Sequence, residues 1–144
     1  MLLPRAPGDE FEGTCPYHGA CWEGLCSGPA ISRRAGAPAE SLPAEHEAWT
    51  LATEYTARAL ANLVFVLSPE KIIVGGSVRK AGRLGQREFF ARIREKTRAA
   101  LAGYVASDSL SEGGISSFIV PPRLGDDAGV CGAIALGQLA AARA

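Results

Sequence analysis

The clearest hydrophobic pattern in the chain lies in residues 44–67, where apolar side chains recur every three or four positions. They are Trp49, Ala52, Tyr55, Ala59, Leu60, Leu63, Val64 and Leu67. This spacing places them on one face of a helix, with charged residues away from that face. Ser68-Pro69 follows, and proline disfavours helical geometry at the residue before it. The pattern therefore predicts a long amphipathic helix over 44–67.

A second segment with helical spacing covers about residues 84–103. Its apolar side chains are Leu84, Phe89, Phe90, Ile93, Thr97 and Leu101. Gly103 comes directly after this run, and glycine is common just beyond the ends of helices. We therefore predict a second amphipathic helix that ends near Gly103.

A third helix is predicted from Asp126 onward, through a run rich in alanine, glycine and aliphatic residues. Asp126 or Asp127 would cap its N-terminus. Gly129 and Gly132 lie three residues apart on its first turns, which favours close packing on a strand or on a flat ligand.

Two short apolar runs between these helices predict strands. Ile72, Ile73 and Val74 precede the pair Gly75-Gly76, which is typical of a short buried parallel strand that enters a loop. Residues 115–120 predict a second strand, which two prolines close. The order helix, strand, helix, strand, helix predicts an α/β fold with a parallel layer. The chain also opens on the apolar run Met1-Leu2-Leu3, which is typical of the end of a strand.

Composition and charge narrow the classes of protein that fit. The 144 residues correspond to one domain, and 47% hydrophobic content is ordinary for a globular fold. Fifteen basic and fifteen acidic residues give zero net charge, so the chain lacks the basic excess that a nucleic-acid partner requires. No apolar run approaches the roughly 20 residues of a membrane helix. We therefore expect no nucleic-acid partner and no membrane association, and a cytoplasmic location.

Three potential metal ligands lie at three-residue intervals near the N-terminus, at Cys15, His18 and Cys21. Thiolate and imidazole ligands in this spacing suit tetrahedral Zn²⁺. Reduced structural thiols and disulfides are the alternatives, but no export signal precedes the cysteines and such a short loop gains little from closure. The fourth ligand would be Cys26, a water or a group outside this chain, since His46 falls within the helical pattern.

Cys26 and Cys131 lack ligands at metal spacing and are predicted to be buried thiols.

Two further features have both a functional and a plain structural interpretation. Ser27 and Gly28 precede a possible helix start, where free N–H groups would bind a phosphate or a sugar hydroxyl, although Gly-Pro pairs are more often simple turns. Gly75 and Gly76 would likewise let the backbone approach a nucleotide at the end of a strand, or would only end the strand.

Together these motifs resemble the ROK family of sugar kinases and repressors, most closely its bacterial fructokinase branch. The resemblance rests on Cys-Pro-Tyr-His-Gly-Ala-Cys-Trp-Glu-Gly-Leu, on Ser-Gly-Pro-Ala-Ile, on the strand with Gly-Gly, and on Asp-Asp-Ala-Gly-Val-Cys-Gly-Ala, in this order. It implies the C-terminal domain of an actin-like (ribonuclease H-like) sugar-kinase fold. Residues 1–34 would form the zinc turn and the sugar and phosphate-side loop, and residues 35–144 the α/β nucleotide-binding part.

The resemblance also implies roles for individual residues. Glu23 would bind sugar hydroxyls, and the Cys15, His18 and Cys21 set would hold a structural Zn²⁺ whose fourth ligand is a histidine upstream of this chain. The residues implied at the nucleotide are Gly75, Gly76, Ser27, Gly28 and Gly129. No catalytic residue is implied in this chain, because the family's catalytic aspartate lies in an N-terminal domain that we expect to be absent.

The implied activity is phosphorylation of a hexose by ATP with Mg²⁺, with D-fructose giving fructose 6-phosphate. The chain alone would be inactive because it lacks the catalytic base. Two alternatives remain: the sugar-sensing part of a ROK-type transcriptional repressor, and an inactive remnant. The family resemblance also implies a homodimer.

Overall fold

The longest helix, α3 (Glu47–Leu67), forms the centre of a computed structural model that describes residues 1–143. Trp49, Tyr55 and Leu60 are its largest fully buried side chains. His46 caps the helix, since its Nδ1 accepts a hydrogen bond from the Ala48 N–H at 3.1 Å. The helix predicted over 44–67 is therefore confirmed, but Leu67, which was assigned to its apolar face, is exposed.

The helix α4 (Gln86–Leu101) packs against α3 and completes the main core. All six side chains predicted for its apolar face are buried: Leu84, Phe89, Phe90, Ile93, Thr97 and Leu101. Ala102 ends the helix in a left-handed conformation, with φ of 49°, and Gly103 follows with φ of 74°. The predicted amphipathic helix is confirmed.

The remaining elements are shorter and lie around this pair. They are α1 (Trp22–Cys26), α2 (Gly28–Ala35), β1 (Ile72–Ile73), α5 (Ile115–Phe118), β2 (Ile119–Val120) and α6 (Ala128–Ala141). Single 3₁₀ turns occur at Ala39–Ser41, Ser77–Lys80, Asp108–Leu110 and Gly125–Asp127. None of the helices in residues 1–143 combines the length and apolar character needed to cross a membrane.

The sheet consists of β1 and β2, which pair in parallel with Ile72 opposite Ile119 and Ile73 opposite Val120. The predicted α/β class and the parallel pairing are confirmed. The prediction that the first strand is buried is wrong for Ile73, which is 63% exposed. Within residues 1–143, β1 has only one neighbouring strand, so one edge and part of its surface remain uncovered. At the N-terminus, Leu2 forms a single antiparallel bridge with Cys21.

The strand predicted over 115–120 is only partly correct, because its first four residues form the helical turn α5. Ile115 and Phe118 are both buried, and a spacing of three places them on one side of a helix but on opposite faces of a strand. The Ser111 hydroxyl accepts a hydrogen bond from the Gly114 N–H at 3.0 Å, which favours the turn. Only Ile119 and Val120 remain extended.

The helix predicted near the C-terminus is present as α6, but its predicted contacts are wrong. None of its residues is buried, and a Cβ added at Gly129 or Gly132 would meet nothing within 4 Å. Cys131, predicted to be buried, is exposed. Val130, Ile134, Leu136 and Leu139 are each more than half exposed. Among the described residues no element covers α6, so its glycines provide open space and not close packing.

Candidate metal site and ligand cavities

Cys15, His18 and Cys21 lie together, as their spacing predicts, with the His18 side chain exposed and Cys21 buried. Their ligand atoms all lie within 4.8 Å of one another, and Cys15 Sγ lies 3.8 Å from His18 Nδ1. A tetrahedral zinc ion with bonds of about 2.0–2.3 Å separates its ligand atoms by roughly 3.5–3.8 Å. The donor set and its spacing therefore suit Zn²⁺ with only small adjustments of the side chains.

The geometry of this metal turn comes from backbone contacts within residues 13–24. Cys15 and Gly19 form a small antiparallel bridge, in which the Gly19 N–H donates to the Cys15 carbonyl at 2.9 Å. Thr14 N–H donates to the Gly24 carbonyl at 2.9 Å, which fastens the turn to α1. Cys21 is the N-cap residue of α1, and its side chain makes no capping hydrogen bond with described residues. Its sulfur is therefore available to a metal.

Gly24 is required where α1 passes beneath the metal turn. A Cβ at this position would lie 1.8 Å from the Gly19 carbonyl oxygen and 2.9 Å from the Cys15 nitrogen. We expect Gly24→Ala to lower the free energy of unfolding by about 1–3 kcal/mol, because overpacking forces the backbone apart. Urea unfolding monitored by tryptophan fluorescence would measure it. The matched control is Gly28→Ala, where the added Cβ meets nothing within 4 Å; equal losses in the two variants would contradict the prediction.

The thiols of Cys15 and Cys26 differ in pKa because their surroundings differ. Backbone hydrogen bonds from His18 and Tyr17, together with the His18 side chain, lower the pKa of the Cys15 thiol to about 7. Burial raises the pKa of the Cys26 thiol to about 12, and its Sγ lies 3.7 Å from the Ala52 carbonyl as a weak donor. Cys26 is thus a buried thiol, as predicted, and lies outside the metal cluster.

A first cavity, of about 230 Å³, lies beside the metal turn, between α1, α3 and the loop after β1. Glu23, Ser27 and Gly75 all line it. Glu23 is exposed in the first turn of α1. The Ser27 hydroxyl caps α2 by accepting from the Ala30 N–H at 3.3 Å. Residues predicted separately for a sugar and for a nucleotide therefore share one cavity.

Two further cavities extend from the same loop. A second, of about 290 Å³, is lined by Gly75, Gly76 and Gly129 among others. Gly76 has φ of 80°, and an added Cβ there would meet nothing within 4 Å, so its backbone is accessible from the cavity. A third, of about 240 Å³, is lined by Gly28 and lies between α2 and the turn at Ser77–Lys80. The structure thus groups the predicted glycines around one loop, but places Gly28 apart from Gly76 and Gly129.

Charged residues on this loop were missed by the sequence analysis. Arg79 lines both the first and the second cavity. It is buried, and it donates through Nη2 to Asp126 Oδ1 at 2.7 Å. Lys80 pairs with the other oxygen of Asp126 at 2.8 Å. The available signal was two consecutive cations three residues after the glycine pair.

The sequence analysis also missed a hydrogen-bond network around Asp9, which fixes the segment that precedes the metal turn. The Asp9 side chain is 3% exposed, and its carboxylate accepts hydrogen bonds from the Arg34 guanidinium and from the Tyr55 hydroxyl. The Tyr55 oxygen in turn accepts from the Ala6 N–H at 2.9 Å. Burial acts to raise the pKa of Asp9, but the hydrogen bonds from Arg34 and Tyr55 outweigh it and hold that pKa at about 2. This network joins the N-terminal segment to α2 and α3.

A comparison with protein-family profiles and a comparison with curated proteins agree with each other. The ROK family profile matches residues 5–139. The chain is 40% identical over 140 residues to a fructokinase of Pediococcus pentosaceus and 42% identical over 140 residues to a putative fructokinase of Bacillus subtilis; each alignment covers 97% of this chain and 45% of the relative. A Zymomonas mobilis fructokinase is 40% identical over 135 residues, which cover 92% of this chain and 42% of the relative. The chain spans less than half the length of these curated relatives.

Proposed function

The chain belongs to the ROK family, and from this premise we propose that it forms part of a kinase that phosphorylates a hexose with ATP. The proposed sugar is D-fructose, with fructose 6-phosphate as product. The observation that carries the proposal is the cavity that Glu23, Ser27 and Gly75 line together, since a kinase must bring a sugar and a nucleotide into one space. The names of the relatives, all fructokinases, support the choice of sugar.

In this proposal the chain supplies the C-terminal domain of an actin-like sugar-kinase fold. Residues 1–34 carry the metal turn and the sugar side, and residues 35–144 carry the nucleotide side. The relatives are more than twice as long as the matched region, and no Asp-Gly-Gly-Thr sequence occurs in the 144 residues. The proposed catalytic base therefore belongs to a complementary N-terminal domain.

The proposed chemistry is attack of a sugar hydroxyl on the γ-phosphate of ATP, with the base removing the hydroxyl proton. Mg²⁺, when bound with ATP, neutralises charge on the phosphate groups. Within this chain, the Glu23 carboxylate accepts hydrogen bonds from sugar hydroxyls and fixes the position of the ring. The backbone at Gly75, Gly76 and Gly129 admits the nucleotide, because these residues have no side chain and nothing lies within 4 Å of a Cβ placed at Gly76 or Gly129.

The metal turn has a structural role in this proposal. Cys15, His18 and Cys21 would hold Zn²⁺ and so fix the start of α1, where Glu23 lies two residues after Cys21. The ion would position the sugar-binding wall and take no part in phosphoryl transfer.

The test is a coupled assay of fructose phosphorylation with ATP and magnesium. We expect the 144-residue chain to show no turnover, and the same chain extended by the sequence encoded directly upstream to be active. In the extended protein, Glu23→Gln should raise the KM for fructose about tenfold or more, because a charged hydrogen bond contributes about 1.5–3 kcal/mol. Glu45→Gln, which changes an exposed carboxylate outside the three cavities, is the matched control.

Two results would contradict the proposal. Clear turnover by the 144-residue chain alone would show that the base lies within it. An extended protein with an N-terminal helix-turn-helix, with sugar-dependent DNA binding and without turnover, would instead identify a ROK-type repressor.

A further inference from the structure

The most unusual charged group in the described chain is the cluster of Arg79, Lys80 and Asp126. A single carboxylate holds two cations, with Arg79 Nη2 at 2.7 Å from Oδ1 and Lys80 Nζ at 2.8 Å from Oδ2. Both cations come from the turn that follows Gly75 and Gly76, whereas Asp126 comes from the turn that precedes α6. The cluster therefore carries a net charge of +1 and joins the two walls of the second cavity.

Arg79 has hydrogen-bonding capacity that residues 1–143 do not use. Its side chain is 8% exposed, and Gln86 and Asp126 accept from its two terminal nitrogens. Its buried Nε has no acceptor among the described residues. A buried donor without a partner costs about 1–3 kcal/mol. Because Arg79 lines both cavities, a ligand acceptor that paired with this guanidinium would relieve that cost.

The position of Arg79 identifies the class of ligand. Arg79 and Gly75 are the two residues that line both the first cavity, with Glu23, and the second cavity, with Gly129. Arg79 thus lies between the proposed sugar site and the proposed nucleotide site, where phosphate groups would lie. A guanidinium fork matches the geometry of phosphate oxygens, and an ammonium group adds a mobile point charge.

We propose that Arg79 and Lys80 bind the phosphate groups of the nucleotide, and that Asp126 occupies these cations in the absence of ligand and competes with it. The inference rests on the proposed kinase function. Lys80 is more than half exposed and can turn from Asp126 to the ligand, whereas Arg79 is fixed by Gln86 and stays in the wall. Hydrogen bonding to Lys80, with the nearby charge of Arg79, lowers the pKa of Asp126, so the competing group is a carboxylate at neutral pH.

The test is isothermal titration calorimetry of the 144-residue chain with ADP, inorganic pyrophosphate and adenosine at low ionic strength. Lys80→Gln should weaken ADP and pyrophosphate about five- to tenfold and leave adenosine unchanged. Asp126→Asn should tighten both phosphate ligands, because it removes the competing anion. Arg79→Lys should weaken them while keeping the charge. Arg83→Gln is the matched control, since it removes one exposed positive charge three residues from Lys80 and outside the three cavities.

The three ligands separate this inference from the proposed function. If adenosine and ADP bind with equal affinity in the wild type and in Lys80→Gln, the nucleotide site stands and the phosphate assignment is overturned. If pyrophosphate binds in a Lys80-dependent manner but adenosine does not bind, the phosphate site stands without the nucleotide shelf. Equal losses in Lys80→Gln and Arg83→Gln, weaker binding in Asp126→Asn, or no binding of any ligand would overturn the inference.

Discussion

Replacing Cys21 by serine is expected to abolish zinc binding by the 144-residue chain. Cys21 is one of three ligands whose donor atoms lie within 4.8 Å of one another, and a serine hydroxyl does not replace a thiolate as a ligand. The wild type should hold about one zinc per chain after dialysis in reducing buffer, but less tightly than a closed four-ligand site, because water completes the coordination. Elemental analysis would measure both proteins.

Two other cysteines provide matched controls for this experiment. Cys131→Ser should keep the zinc, since Cys131 is exposed on α6. Cys26→Ser should also keep it, since Cys26 is buried against the Ala52 carbonyl and lies outside the cluster. The affinity of the wild type should fall as the pH drops, because protons compete with the metal for the ligands. Loss of zinc in Cys26→Ser to the same degree as in Cys21→Ser would identify Cys26 as the fourth ligand, and a metal-free wild type would remove the site.

Asp9→Ala is expected to lower the free energy of unfolding by about 3–5 kcal/mol, because it leaves a buried charge without its partner. The Arg34 side chain is 12% exposed and would lose its carboxylate, and the Tyr55 hydroxyl would lose its acceptor. Urea unfolding would measure the change. Glu10→Ala removes an exposed carboxylate at the next position and should change stability by less than about 0.5 kcal/mol. Similar losses in the two variants would contradict the assignment.

The lowered pKa of Asp9 also predicts how the free energy of unfolding depends on pH. The pKa of Asp9 is about 2 in the folded protein against an ordinary value of 3.8. A depressed pKa stabilises the fold at pH values above the ordinary pKa, and this contribution disappears as the pH falls through the folded value. Asp9 should therefore contribute about 2 kcal/mol above pH 4, lost progressively between about pH 4 and pH 2. In Asp9→Asn this part of the pH dependence should be missing.

The elements that could be predicted from the sequence are those whose burial follows from their own periodicity. The α3 and α4 faces were predicted because every third or fourth residue is apolar and each face meets the other. The same reasoning failed at α5, where the apolar end of the run over 115–120 suggests an extended strand. The hydrogen bond from the Gly114 N–H to the Ser111 hydroxyl and the helical spacing of Ile115 and Phe118 favour a turn. It failed at α6 because small and apolar residues indicate packing only where another element is present to pack against.

Whether a site could be predicted from the sequence depends on how far apart its residues lie along the chain. The metal turn could be predicted because its ligands lie within seven consecutive residues, 15–21, and their geometry is set locally. The Asp9 network could not, because Arg34 and Tyr55 lie 25 and 46 residues further along the chain. The pairing of Arg79 with Asp126 spans 47 residues, and only the fold brings them to one cavity. The proposed roles of Glu23 and the glycines remain predictions that their shared cavities support.

The exposure of α6 also determines how the chain unfolds. A helix of 14 residues without a buried side chain is close to the limit of what backbone hydrogen bonds alone maintain in water. Because it shares no buried surface with the core of α3 and α4, its melting is not coupled to theirs, and its amides exchange with solvent by local opening. The cooperative unit therefore ends before α6, and a calorimetric transition of this chain reports on that smaller unit and not on all 144 residues.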